Sequence, residues 1–385
     1  MERRDRAEEQ VPFGPMVSLV SRRPSSPAPR TIGGRCLAAQ GSMDTPDSAP
    51  ARPELLAIAG TGQNGATLLC RMLGELPGFV GVGEIGRLWD TGLIENRECS
   101  CGLPFHECPF WIEVGDTGFG GWGNVDGYEV SRLREAVRLR RPLRSLPRVP
   151  IAEIHALSAR HLMPFRLAAR VSSEYRNNLR RYAELMGRLY VAIAQVAGAS
   201  VVVDSMKFPY HVHMLPRVPG VDLRFVHLVR DSRGVAHSQT KTVQKQGTAG
   251  RFRRRRHPFK TALRWNLVNV TIHSLTRAGT PSTLVRYEDM ISTPVETLRR
   301  IAGFAGAPVG SDDISFVRGI EVDLSSGHLS AGNRMRMEAG PIKLRDPDGW
   351  KTELPVKQRR LVSLLTWPLI RRYNYVGPGS GTGRA

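Results

Sequence analysis

Long apolar runs and paired cysteines are both scarce in this chain of 385 residues. The longest apolar stretch, residues 189–203, is interrupted by Gln195 and Gly198 and is shorter than the roughly 20 residues that span a bilayer. No apolar segment of signal-peptide quality follows the N-terminal arginines. The five cysteines, an odd number, favour a reducing compartment over a disulfide framework. We therefore expect a protein that lacks a membrane span and works in the cytoplasm.

Acidic residues are also in short supply, with 35 Asp and Glu against 55 Lys and Arg, a formal net charge of +20. The excess is concentrated in residues 132–181, with thirteen Arg and three acids, and in residues 207–264, with fourteen basic residues and two acids. The densest run, residues 251–256, is a solvated loop, a contact for an anionic acceptor or a contact for a polyanion. A concentrated positive field favours an anionic partner: a nucleotide, a nucleic acid, a membrane surface or an acidic substrate.

The two ends of the chain lack the periodicity of folded elements. Residues 1–52 are rich in Pro, Ser and Arg and are predicted to be disordered, and Met43 is a candidate for the true start. Residues 377–385 have the composition of a flexible tail. The remaining residues, 53–376, are long enough for one large domain.

Within that domain, short apolar runs alternate with helical patterns. Buried strands are predicted at residues 54–60, 200–204, 223–229 and 282–287. Helices are predicted at residues 65–76, 173–197, 232–243, 258–277 and 294–305. This alternation predicts an α/β fold with a mostly parallel sheet covered by helices on both faces. Ligands of such sheets bind beyond the carboxyl ends of the strands.

A glycine-rich segment, GTGQNGAT, joins the first strand to the first helix. Backbone amides and the positive end of a helix make such a turn a site for an anion. The spacing from Gly60 to Gly65 and Thr67 is close to that of a nucleoside triphosphate loop, but Ala66 stands where that loop has lysine. The sequence therefore predicts phosphate binding and disfavours a Mg-dependent kinase.

Two further polar segments follow predicted strands. The segment LVRDSRGVAHS places Arg230 at a strand end and Ser238 two helical turns further on, where both can reach one phosphate. The segment VRYED places Tyr287 at the end of the last strand. Taken singly, the first segment is equally typical of a helix cap with an ion pair, and Tyr287 of packing at a sheet edge.

Together, the ordered set of segments resembles the sulfotransferases that use 3′-phosphoadenosine 5′-phosphosulfate (PAPS), in particular their soluble bacterial branch. The resemblance covers residues 54–375 and includes ECSCGLPFHECPFW, VVVDSMKFP and GHLSAGNRMR besides the three segments above. It implies a three-layer, P-loop-like sulfotransferase fold for residues 53–376. It also implies sulfuryl transfer from PAPS, without a metal, to a hydroxyl of a small molecule, a lipid or a glycan.

The resemblance also implies roles for individual residues. Arg230 and Ser238 would hold the 3′-phosphate, Tyr287 would lie near the adenine, and Arg336 would fold over the site. The loop that would hold the 5′-phosphosulfate consists of Gly62, Gln63, Asn64, Gly65, Ala66, Thr67 and Leu68.

The chain departs from the family pattern at positions that bear on catalysis. Gln63 stands where the pattern has a cation beside the bridging oxygen, and Ala66 where it has a hydroxyl. In VVVDSMKFP, Met206 and Phe208 replace Ser and His, whereas Lys207 is retained. We predict that Lys207 is the main catalytic cation. Asp204 is the predicted general base, with His211 and His213 as weaker candidates, although an Asp after a strand is also typical of a turn.

Two other functions compete with sulfuryl transfer, and the cysteines need a separate interpretation. The departures are compatible with a weak enzyme or with a protein that only binds PAPS or its product. A nucleic-acid-binding protein would explain the charge but not the glycine-rich loop, and no nucleic-acid motif is present, so no nucleic acid is expected as a partner. Cys99, Cys101 and Cys108, with His106 nearby, do not match a standard zinc-finger spacing, and we interpret them as structural residues without a metal.

Overall fold

The computed structural model describes residues 52–138, 172–206, 208–241, 256–276 and 279–376. The predicted N-terminal extension (apart from Arg52), the predicted tail, Lys207 and most of the basic run at residues 251–256 lie outside the described residues. Predictions about those parts therefore stay predictions.

Five parallel strands form the central sheet. They are β1 (Glu54–Gly60), β2 (Phe79–Gly83), β3 (Val201–Asp204), β4 (Asp222–Val229) and β5 (Ser282–Arg286). Their order across the sheet is β2-β3-β1-β4-β5, and every neighbouring pair is parallel. Because β1 lies between β3 and β4, the loop that follows β1 emerges at the middle of the carboxyl edge.

Alternate residues of the sheet belong to two separate hydrophobic cores. On β1, Leu55, Ala57 and Ala59 face one core, and Leu56 and Ile58 face the other. This is the period-2 alternation of a strand that is covered on both faces. The result is three layers, with helices on either side of the sheet, which confirms the predicted α/β fold class.

Helices fill both outer layers. They are α1 (Ala66–Gly74), α2 (Pro109–Phe119), α3 (Gly127–Val137), α4 (Ser173–Ala197), α5 (Pro209–Met214), α6 (Ser232–Thr240), α7 (Pro258–Thr276), α8 (Tyr287–Ser292), α9 (Pro294–Phe304), α10 (Trp350–Glu353) and α11 (Val356–Arg372). Residues of α2, α3, α4 and α5 contribute to one core, and residues of α1, α8 and α9 to the other. None of the helices in the described ranges is both long and apolar enough to cross a membrane.

A small antiparallel sheet lies near the end of the chain. It has the order β6-β7-β8, with β6 at Val317–Arg318, β7 at Glu321–Leu324 and β8 at Gly340–Lys343. The segment between β7 and β8 forms a parallel bridge from Ala331 to Gly83 at the end of β2. That bridge brings the segment to the carboxyl edge of the central sheet.

Candidate functional site

The glycine-rich loop is held close to β4. Asn64 is buried, and its Nδ2 donates to the backbone oxygen of Leu228 over 2.8 Å, whereas its Oδ1 accepts from the amide of Ala66 over 3.2 Å. A Cβ atom at Gly60 would lie 2.1 Å from Asn64 Nδ2, so only glycine permits this approach. The side chain of Asn64 thus fixes the shape of the loop rather than facing a ligand.

At the start of α1, the backbone is folded tightly against α8. Gly65 has φ 91° and caps the helix, and a Cβ atom there would lie 2.5 Å from Cδ2 of Tyr287. Both conditions require glycine. Amides in the first turn of a helix have no acceptor within the helix, and the helix dipole adds positive potential there. The loop and the first turn, which holds Ala66, Thr67 and Leu68, can therefore receive an anion.

The second motif, which is the segment from Arg230 to Ser238 after β4, meets the glycine-rich loop at Gln63. Arg230 follows β4, and its Nη1 donates to the backbone oxygen of Gln63 over 3.2 Å. Ser238 on α6 donates from its hydroxyl to Gln63 Oε1 over 3.1 Å. Arg230 also lies over the ring of Tyr287, 4.3 Å from its centroid. The structure therefore brings together four residues that the sequence analysis had assigned to one nucleotide, although they are spread over more than 200 positions.

Arg230 retains a donor for a ligand. Its Nε is buried and has no hydrogen-bond partner among the described residues. An arginine normally satisfies a buried N–H, because an unpaired buried donor is costly. A phosphate group at this place would accept from Nε, and the planar guanidinium suits phosphate geometry. The unpaired Nε of Arg230 therefore makes the site suitable for a phosphorylated ligand.

Glu288, a residue that the sequence analysis did not single out, supports this arrangement. Its Oε1 accepts from the amide of Asp231 over 3.0 Å, and its Oε2 accepts from the hydroxyl of Tyr375 over 2.6 Å. Burial raises the pKa of Glu288, although both hydrogen bonds favour the carboxylate. Glu288 thereby links the turn after β4, next to Arg230, to Tyr375, which follows α11.

The segment with Arg336 lies across the start of α1. Gly332 is close to Thr67, since a Cβ atom there would lie 3.5 Å from Thr67 Cγ2. The guanidinium of Arg336 is buried and donates to the backbone oxygens of Leu329 and Glu98. Its predicted contact with the nucleotide stays a prediction, and in this structure its nitrogens hold two backbone segments together.

Asp204 is part of a buried polar cluster beside β3. One oxygen, Oδ2, lies 2.7 Å from His211 Nε2 and accepts from the Tyr190 hydroxyl over 2.6 Å, and Oδ1 accepts from the amide of Met206. A carboxylate only accepts, so a hydrogen bond from His211 to Asp204 requires the proton on Nε2 and leaves Nδ1 as the other ring nitrogen of the pair. No described residue hydrogen-bonds to that Nδ1. The pair therefore has the arrangement of a base and the residue that orients it.

The replaced residues near Lys207 have packing roles. Met206 is buried, and its side chain lies against Gly86. Phe208 stacks on Tyr210 with a centroid distance of 6.1 Å, and Arg138 lies over both rings. Phe208 thus takes up an aromatic and cationic contact at the position where the family pattern has histidine. The predicted catalytic cation, Lys207, lies outside the described residues.

A pocket of about 630 Å³ lies next to the second motif but outside the loop. Arg233, Trp350, Arg360 and Trp367 are among the residues that line it, and no residue of the glycine-rich loop does. The site is therefore defined by its polar geometry at the carboxyl edge of the sheet, and not by this pocket.

Comparison with known proteins points to one family. Residues 123–311 match the model of the sulfotransferase family. This match supports sulfuryl transfer in general. Among curated proteins, no sequence gives a significant match.

Solved structures that match this chain include three sulfotransferases. The sulfotransferase domain of the Synechococcus PCC 7002 olefin synthase is 19% identical, with a TM-score of 0.44, over 86% of this chain and 98% of that one. The sulfotransferase domain of the curacin biosynthetic pathway is 15% identical, with a TM-score of 0.40, over 82% and 99%. Sulfotransferase STF9 from Mycobacterium avium is 11% identical, with a TM-score of 0.36, over 69% and 67%.

Proposed function

We propose that this protein transfers a sulfuryl group from PAPS to a hydroxyl group of a small-molecule, lipid or glycan acceptor. The observation that carries the proposal is the meeting of Arg230 and Ser238 with the glycine-rich loop at Gln63. In that geometry, the loop and the start of α1 would hold the 5′-phosphosulfate. Arg230, through Nε, and Ser238 would hold the 3′-phosphate, and Tyr287 would lie near the adenine. The odd number of cysteines supports a cytoplasmic location.

The transfer step is an in-line displacement at sulfur. The acceptor oxygen forms a bond to sulfur, the bond from sulfur to the bridging oxygen breaks, and 3′-phosphoadenosine 5′-phosphate (PAP) leaves with the electron pair. We propose that the Asp204–His211 pair takes the acceptor proton, with Asp204 orienting the imidazole. Lys207 is proposed to stabilise the charge that develops on the leaving phosphate. Gln63 would contribute only neutral hydrogen bonds there.

Acceptor-dependent release of PAP from PAPS tests this function directly. We expect release with at least one acceptor in a panel of phenols, lipid alcohols and glycans, and transfer of the labelled sulfuryl group to that acceptor. Arg230→Ala should lower kcat/KM by about 10²-fold, because it removes a charge-assisted phosphate contact.

The matched control is Arg224→Ala. Arg224 lies at the other end of the same strand and pairs with Glu54, far from the carboxyl edge. Its loss should leave kcat/KM within about twofold, because both partners lie at the amino ends of their strands, away from the site. Tight PAP binding without release for any acceptor would instead support a binding protein on a sulfotransferase fold.

A further inference from the structure

A cluster of three cysteines and one histidine lies apart from Arg230 and Ser238. Cys99, Cys101 and Cys108 come from the segment between β2 and α2, and His328 comes from the segment between β7 and β8. One ligand atom from each residue lies within 4.8 Å of the other three. His328 is 220 positions beyond Cys108, so no local pattern in the sequence points to it.

The distances within the cluster match the edges of a tetrahedral metal site. Cys101 Sγ is 3.6 Å from Cys108 Sγ, and His328 Nδ1 is 3.4 Å from Cys108 Sγ and 3.8 Å from Cys99 Sγ. Zinc bonds of about 2.3 Å to sulfur and about 2.0 Å to nitrogen place tetrahedral ligands roughly 3.5–3.8 Å apart. Disulfides need sulfur atoms about 2.05 Å apart, and all three thiols are free.

The chain around the cluster is built to hold these positions. Gly102 has φ 91°, and the amide of Cys99 donates to the oxygen of Leu103, which closes a tight turn around Cys101. Ser100 joins this turn to the other segment, because its amide donates to Leu329 O and its Oγ accepts from Leu329 N over 2.7 Å. These bonds place His328 beside the cysteines.

The ring of His328 is also fixed from its other side. It stacks on Phe110 with a centroid distance of 4.7 Å and an interplanar angle of 9°. This stacking fixes the plane of the imidazole, whose Nδ1 lies 3.4 Å from Cys108 Sγ and 3.8 Å from Cys99 Sγ. A ligand histidine is normally held in place by contacts outside the metal's own shell.

Charge at the cluster is balanced by Arg336. Three thiolates with a divalent cation carry a net charge of −1, and the buried guanidinium of Arg336 bonds to both ligand-bearing segments, at Glu98 O and Leu329 O. The role of a buried arginine at this position is thereby explained without a ligand in the transfer site.

We propose that Cys99, Cys101, Cys108 and His328 bind one Zn²⁺ as a structural site. Four protein ligands leave no open coordination position, which is the pattern of structural rather than catalytic zinc. Thiolate and imidazole ligands in a tetrahedron favour zinc over harder cations such as Mg²⁺ and Ca²⁺. The ion would tie the segment between β7 and β8, which lies against Thr67, to the segment that follows β2.

Metal analysis of the full chain, purified under reducing conditions without added metal, tests the site. We expect about one zinc per chain in the native protein and in Cys70→Ala, since Cys70 is a buried free cysteine outside the cluster. We expect less than about 0.2 equivalents in Cys108→Ser, and full occupancy in His328→Cys, which restores a fourth ligand. Equal zinc in Cys108→Ser and the native protein would overturn the proposal.

Cobalt substitution covers the case in which Cys108→Ser fails to fold. The native protein, with its metal exchanged for Co²⁺, should show the d–d absorption of a tetrahedral site and thiolate-to-cobalt charge transfer. Removal of zinc with a chelator should lower the melting temperature by about 5 °C or more, with recovery on return of zinc. A native protein without zinc, without the cobalt spectrum, or with a Cys101–Cys108 disulfide would refute the site. None of these outcomes depends on sulfuryl transfer.

Discussion

At the scale of single residues, Gln63 is the most informative departure from the family pattern. It is one of the non-glycine residues in the left-handed region, with φ 74°, and both its backbone oxygen and its side chain are engaged by the second motif. The loop therefore keeps its shape and its link to Arg230 without a cation at this position. Under the proposed function, the side chain at this position would bring no positive charge to the bridging oxygen of PAPS.

Restoring that charge should increase turnover. Gln63→Arg adds a cation that acts on charge developing in the transition state, so we expect kcat to rise by about tenfold or more. Conversely, Lys207→Ala should lower kcat by about 10²–10³-fold with PAP affinity nearly unchanged. Steady-state kinetics and calorimetry with PAP measure the two effects.

Gln63→Met is the control, because it keeps the length of the side chain without charge. It should not raise kcat. An increase in Gln63→Met equal to that in Gln63→Arg would refute the electrostatic explanation, and a native rate in Lys207→Ala would refute the role of Lys207.

The pH profile of kcat distinguishes the two members of the Asp204–His211 pair. If His211 is the base, His211→Gln should lower kcat by about 10²–10⁴-fold and abolish the rise of kcat with pH that deprotonation of a base produces. Asp204→Asn should lower kcat yet keep that rise, since the imidazole remains. The reverse result, with the rise lost only in Asp204→Asn, would make Asp204 the base itself.

At the scale of secondary structure, a buried histidine of β4 contacts α7, and its titration affects the stability of the fold. His227 lies 3.0 Å through Nε2 from Asn269 Oδ1. Burial lowers its pKa from 6.5 to about 4, against the opposing effect of that hydrogen bond. Between pH 6.5 and about 4, the unfolded chain binds a proton at this histidine more readily than the folded chain does. The contribution of neutral His227 to the free energy of unfolding is therefore complete above pH 6.5 and is lost as the pH falls towards 4.

Chemical denaturation between these pH values checks this prediction. The free energy of unfolding of the native protein should fall with pH by up to about 3 kcal/mol more than that of His227→Gln. His257→Gln, a change at an exposed histidine, should behave like the native protein. Parallel curves for the native protein and His227→Gln would show that His227 does not contribute.

The elements that the sequence predicted are those with strong local signals. β1, with its continuous apolar run, and α4, with its three- and four-residue spacing, have the predicted bounds. β2 was missed, because its sequence, FVGVG, is rich in glycine and short. Gly81 lies there because a Cβ atom would be 2.6 Å from Cys70 O. A close approach between elements that are distant in sequence leaves no local pattern.

At the scale of the whole molecule, the same limit applies to the candidate site. The three strand-end segments were evident in the sequence because each follows an apolar run and contains residues suited to phosphate. Contacts made by Glu288 and His328 were not evident, since each depends on a partner far along the chain. The topology of the fold brings these residues together, and the spacing of residues along the chain does not predict such contacts.

One cation of the basic block at residues 207–264, Arg230, has a defined place in the structure. At the carboxyl edge of the sheet, Arg230 is placed by the ring of Tyr287 and by the backbone of Gln63, so its charge is directed to one place. A focused cation of this kind favours a small anionic ligand, whereas nucleic acid would require a broad basic surface.

Recognition of the 3′-phosphate is the central claim, and calorimetry with PAP and with ADP, which lacks that group, tests it most directly. We expect the native protein to bind PAP about 10²-fold more tightly than ADP, because Arg230 and Ser238 would each contribute a hydrogen bond to the added phosphate. Arg230→Ala should lose most of this preference, and Arg224→Ala should keep it. Equal affinity of the native protein for PAP and ADP, or unchanged discrimination in Arg230→Ala, would contradict the account.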